Sequence, residues 1–228
     1  MKTAGVAPPT HTHPVAGSFP RDFLTAVDQR LIELGLGRPR KRFDIWVQPV
    51  VPGVSAWVGV VPRSYGDSLG VLVTVGARHE TIEQALRDLW PELIESTNAT
   101  NISATIATNV QELLPQPIRG SIYVDGPSFI EPAAATVAER VRDHGLPFAR
   151  SVVTLPALIE AWRQHARPTT AYRRPIALYL NGQPDRARED LDATLERFDK
   201  IEGAVKEDFK RFAREFFTRM AALPTRPE

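Results

Sequence analysis

The chain has 228 residues, 43% hydrophobic and 24% charged, with 28 Lys and Arg against 27 Asp and Glu for a formal charge of +1. That size and composition suit a soluble globular protein with a full core, and the charge balance gives no global field to attract nucleic acid or an anionic membrane. Cysteine is absent, which excludes disulfides, thiolate metal sites and thiol catalysis.

Residues 1–17, MKTAGVAPPTHTHPVAG, are rich in Pro, Gly and Thr without hydrophobic periodicity and read as a disordered tail. They hold no apolar run of the signal-peptide kind, and no stretch approaches the roughly 18–20 apolar residues that span a bilayer. A cytoplasmic protein without a membrane partner is expected. His11 and His13 are a pair of potential ligands, but two donors on a tail make an incomplete metal site, so no metal is expected.

Ser18 and Pro20 mark the start of a helix that Gly35 stops, with Phe23, Val27, Leu31 and Leu34 recurring along one face. The basic connection GRPRKR (37–42) has no interleaved aromatic and reads as a solvated loop rather than a phosphate site. Three antiparallel strands follow, roughly 43–50, 54–61 and 69–75, because β-branched and aromatic residues dominate there. Pro52-Gly53 suits a tight turn between Val51 and Val54. Uninterrupted pairing from that turn sets Trp46 opposite Gly59 and Gln48 opposite Trp57. Phe43, Ile45, Val47, Ala56, Val58 and Val60 then form a core face, and Asp44, Trp46, Gln48, Ser55, Trp57 and Gly59 the other.

Pro62 to Ser68 reads as a polar loop carrying Arg63 and Tyr65, and the third strand ends by Gly76, just ahead of Arg78-His79-Glu80. Thr81 with Gln84 has the capping-box pattern of a helix start, with Ile82, Leu86, Leu89 and Leu93 as its stripe and Pro91 kinking or ending it. A fourth strand is expected from the alternation of Ile102, Ala104 and Ile106, then a helical turn near 110–114 and a strand over 119–124. Strands without β-α-β alternation predict an α+β fold with an antiparallel sheet over 18–127.

The remainder, 128–228, reads as a helical region packed on that sheet. A helix runs from Ser128 to His144, stopped by Gly145 and Pro147; another starts at Thr154-Pro156; others cover about 169–181, 184–200 and 203–222. Phe209, Phe212, Phe216 and Met220 give the last a stripe that pairs with the helix before it or docks on another chain.

The motifs G-x-x-x-x-G-K-[ST], G-x-G-x-x-G and H-E-x-x-H are missing, so no cofactor is expected and no catalytic residue is named. Two groups of side chains remain as candidates. Trp46, Trp57, Arg63 and Tyr65 compose an aromatic surface of the kind found at protein-interface hot spots, unless the C-terminal helices cover it. Arg78 and His79 sit at a strand end, where an imidazole beside a carboxylate can serve as a base, although Glu80 as its neighbour points elsewhere.

Two segments resemble known families. The order of helix, basic loop and meander with W-V-x-V (57–60), then V-G-A-R-H-E-T-I-E-Q-A-L (75–86), is similar to bacterial domain-of-unknown-function families, some found near toxin–immunity genes. P-I-A-L-Y-L-N-G-Q-P-D-R-A-R-E-D-L (175–191) resembles a helical-repeat hairpin, in which an Ala packs on the preceding helix after a Gly turn. The resemblance implies a non-catalytic, immunity-like or accessory factor with a protein partner. The alternative is a small-molecule-binding protein or enzyme with a pocket between sheet and C-terminal helices, using His79, Arg78 and Asp125.

Overall fold

The computed structural model describes residues 18–38, 44–91, 103–165, 170–198 and 204–222. The tail with His11 and His13, most of the basic loop, Phe43, Leu93 and Ile102 lie outside them. Helix α1 (Phe19–Glu33) begins after Ser18, whose carbonyl, not its hydroxyl, accepts from the Asp22 N–H at 2.8 Å. Gly35 ends it at φ +81°, a left-handed turn that returns the Gly35 and Leu36 N–H groups to the carbonyls of Ile32 and Leu31.

The meander consists of β1 (Ile45–Val51), β2 (Val54–Tyr65) and β3 (Ser68–His79). Residues 62–68 are a hairpin rather than a loop. Arg63 pairs with Gly70 and Tyr65 with Ser68, and Gly66 at φ +61° supplies the positive φ that lets a two-residue turn follow the strands' twist. At its other end β3 passes Gly76 and reaches His79, because Val54, Ser55 and Ala56 offer it partners.

Val51 pairs with Val54 as expected, but Pro49 pairs with Ser55, which leaves Val50 as an extra residue on β1. Such a bulge shifts the rest of the strand by one position and exchanges its faces. The expected pairing of Trp46 with Gly59 is therefore replaced by Trp46 with Val58, while Ile45 and Val47 turn outward opposite Gly59 and Trp57. Trp46 is fully buried. Its Nε1 donates to Asp28 Oδ1 of α1 at 2.6 Å, and the Arg38 guanidinium lies 4.6 Å over its ring.

Strands β4 (Ile106–Asn109) and β5 (Ile122–Val124) share the far edge of β3, β4 along Thr74–Ala77 and β5 along Leu69–Val71. The sheet is antiparallel throughout. Its inner face, Val54, Ala56, Val58, Val60, Leu69, Val71, Val73, Val75 and Ala77, is buried. Helix α1, together with α3 (Ile130–Arg140) and α4 (Leu146–Ser151), packs on the sheet.

Gly145 and Pro147 do not stop the helix that precedes them. A π turn over Val141–Gly145 joins α3 to α4, with the Leu146 N–H reaching the Val141 carbonyl. The wider turn places Pro147 in the first turn of α4, where a missing N–H costs little. Gly145 is needed for a different reason: a Cβ there would stand 2.8 Å from Val75 Cγ1, so the glycine lets this turn approach β3.

Helix α2 (Glu80–Leu89) starts directly from His79, without the capping box. Gln84 instead donates to Asp88 Oδ1 at 2.6 Å. After α5 (Leu155–His165), helices α6 (Thr170–Leu180) and α7 (Pro184–Phe198) form a hairpin turned at Gly182, φ +70°, with Ala187 buried between them. In α8 (Ala204–Ala222), Phe209, Phe212 and Phe216 are buried against Tyr172, Tyr179 and Trp90. That stripe is core. Helices α6 and α8 thus gather around α2 at the end of β3. Among the described residues no helix is long and apolar enough to cross a membrane.

Candidate functional site

Alternation along β2 and β3 puts Trp57, Val61, Arg63 and Tyr65 on the outer face of the sheet with Leu72 and Thr74, and the pairing of Gly70 with Tyr123 adds Tyr123 from β5. Val61, Tyr65 and Tyr123 are exposed at 46%, 56% and 67%, values too high for an inner layer. The C-terminal helices do not cover this side.

Two glycines shape the face. A Cβ at Gly59 would meet Trp57 Cη2 at 2.5 Å, and one at Gly70 would meet Tyr65 Cε2 at 2.7 Å. Each ring therefore lies across a glycine on its own or the neighbouring strand, flat on the sheet. Flat rings on a rigid ribbon offer large contact area with little side-chain entropy left to lose. Arg63 stands between them on the same strand face and forms no ion pair among the described residues.

Of the six residues singled out from the sequence, Trp57, Arg63 and Tyr65 lie together along this face, while Arg78, paired with Ser55 on the same side, is buried at its far end. Trp46 leaves the set because the Val50 bulge turns it inward. Arg78 and His79 belong to a buried junction at the opposite end of β3. Arg78 is 7% exposed and gives its guanidinium to Glu80, with Nε to Oε2 at 2.8 Å, and to the Ser103 carbonyl at 2.8 Å. Burial opposes ionisation of Glu80, yet Arg78 and Arg87 hold its carboxyl below the usual range.

His79 is 4% exposed, and its Nε2 lies 2.8 Å from the Val152 carbonyl, so that nitrogen carries the proton. Burial pushes its pKa down, against the Val152 carbonyl and the charge of Glu83. The His79 backbone N–H donates to Thr105 Oγ1, which donates to Glu83 Oε1 at 2.8 Å. Arg173 of α6 closes the junction with two hydrogen bonds to Glu83, at 2.7 and 2.9 Å.

Asp125 cannot join His79 in one pocket. It follows Val124, which pairs with Leu69, ten residues from His79 along β3; at a strand's rise that is roughly 30 Å. Asp125 instead lines a small cleft with Tyr123, Phe129 and Pro132. Among the described residues no group of three or more His, Asp or Glu is arranged to hold a metal ion.

Val61, Leu72 and Tyr123 were not legible as site residues. Their signal was the alternation of a longer β2–β3 hairpin, which the polar composition of residues 62–68 concealed. No family model, curated protein or solved structure matches the chain.

Proposed function

We propose that this chain is a non-catalytic protein-binding factor, immunity-like or accessory in role, and that the outer face of its sheet is the contact surface. The supporting observation is the row Val61, Tyr65 and Tyr123, exposed beside Leu72 and the exposed Arg63. Aromatic residues with arginine, rimmed by polar groups, are the composition enriched where proteins bind one another. The occupant is a folded protein with an apolar patch and a carboxylate opposite Arg63, since that exposed side chain has no ion-pair partner among the described residues. Resemblance of residues 20–90 to families near toxin–immunity genes points the same way, and a cytoplasmic setting fits the lack of cysteine.

The small-molecule reading draws less support. His79 Nε2 and the Arg78 guanidinium, the groups it would use, bond the protein's own backbone carbonyls and Glu80.

Affinity capture with the wild-type chain and with Val61→Glu tests the proposal, with circular dichroism confirming that the variant folds. A defined protein retained by wild type and released by Val61→Glu and Tyr65→Ala is the expected result. Equal capture by all three, or loss of self-association alone in the variants, would remove the sheet face from this role.

A further inference from the structure

A second surface lies between α7 and α8, with no residue in common with the sheet face. The two helices leave a groove of about 480 Å³ whose floor is Leu191, Leu195, Ala213 and Phe217. Leu195, Ala213 and Phe217 are only partly buried, so the groove presents apolar carbon to solvent along its length. Its walls are unequal in charge. Arg188, Lys210 and Arg214 stand against Asp192 alone.

These cations are differently committed. Arg188 is stacked 4.3 Å over the Phe217 ring, which fixes its guanidinium at the groove mouth while leaving the N–H edge to bond outward. Lys210 reaches Glu207 on its own helix at 3.4 Å, an exposed pair of small worth. Arg214 is exposed and forms no ion pair with any described residue. Leu191 and Leu195 lie one turn apart, and so do Lys210 and Arg214, and Ala213 and Phe217, so apolar and basic rows run parallel along the groove.

We infer that this groove docks an acidic amphipathic helix of another protein, its apolar stripe seated on Leu195 and Phe217 and its carboxylates on Arg188 and Arg214. Parallel rows at one-turn spacing are what a helix with anchors at i and i+4 requires, and the surplus of cations selects acidic over basic flanks. The span from Arg188 to Leu195 is about 10 Å at a helical rise, room for two turns of ligand.

The test uses the full chain and two labelled helix-forming peptides with identical leucine stripes, one with glutamate flanks and one with lysine flanks, followed by fluorescence anisotropy. The glutamate peptide is expected to bind saturably and to weaken as salt rises, with the lysine peptide bound at least about tenfold more weakly. Arg214→Glu, an exposed change that leaves the helical dichroism intact, is expected to weaken the glutamate peptide by about tenfold, as loss of an anchor does. Arg63→Glu on the sheet should leave it unchanged, which separates this proposal from the previous one. Equal binding of both peptides, absence of saturable binding, or indifference to Arg214→Glu would overturn the inference. So would dimerisation in sedimentation that Phe217→Glu abolishes, since the groove would then belong to a second copy.

Discussion

At the residue scale the junction around Glu83 is tightly bonded. A buried carboxylate is tolerable when every lone pair is answered, and here Arg173 and Thr105 supply three hydrogen bonds. His79 shares that junction and is held neutral by burial, its pKa below the ordinary value of 6.5. With the folded pKa depressed, the unfolded chain takes up the proton first as pH falls, so stability is full above about pH 6.5 and declines below it. Thermal melts should therefore show Tm falling between about pH 6.5 and 5, before most carboxylates titrate. His79→Gln keeps a donor for the Val152 carbonyl and should flatten that decline; an unchanged slope would detach His79 from it.

Elements meet in this fold through glycines as much as through apolar side chains. At Gly76 a Cβ would fall 1.8 Å from the Ile106 carbonyl oxygen, a backbone atom that cannot swing aside. Gly76→Ala should push β4 off β3 and cost about 3 kcal/mol in urea denaturation, within the range for strain at a buried site. Gly59→Ala serves as the control, because the atom met there is the far edge of the Trp57 ring. It should move the indole and shift Trp fluorescence with a smaller loss of stability. At the same scale the Val50 bulge decides which aromatic is core, since it trades Trp46 for Ile45 and Val47 on the outer face.

Considered as a whole molecule, sheet and helices share one buried cluster that runs from Phe23 to Met220. Its polar fastenings also join the two halves. Arg173 reaches Glu83, Val152 meets His79, and Arg219 donates to the Leu89 carbonyl while stacking with Arg211 around Trp90. Residues 18–127 alone would expose Trp90 and Leu86 and strip Glu83 of the Arg173 guanidinium. That fragment is expected to lack a cooperative unfolding transition by circular dichroism, whereas a sigmoidal melt would show the sheet half folding by itself.

The sequence determined the α+β class, the three-strand meander, and most of the helix positions, because those follow from local periodicity, from Gly35 and Gly182 as stops, and from Pro52-Gly53 as a turn. It also grouped Trp57, Arg63 and Tyr65, which the fold keeps together on the outer face of the sheet. Tertiary structure decided what local pattern cannot carry. The outward turn of Ile45 and Val47 depends on one bulged residue, the extension of β2 to Tyr65 on pairing with β3, and the continuation of α3 through Gly145 and Pro147 on a π turn pressed against Val75. Glu83 and Arg173, ninety residues apart, meet only because α6 packs on α2. Register and long-range pairing are set by burial between distant segments, and that burial exists only once the chain has folded.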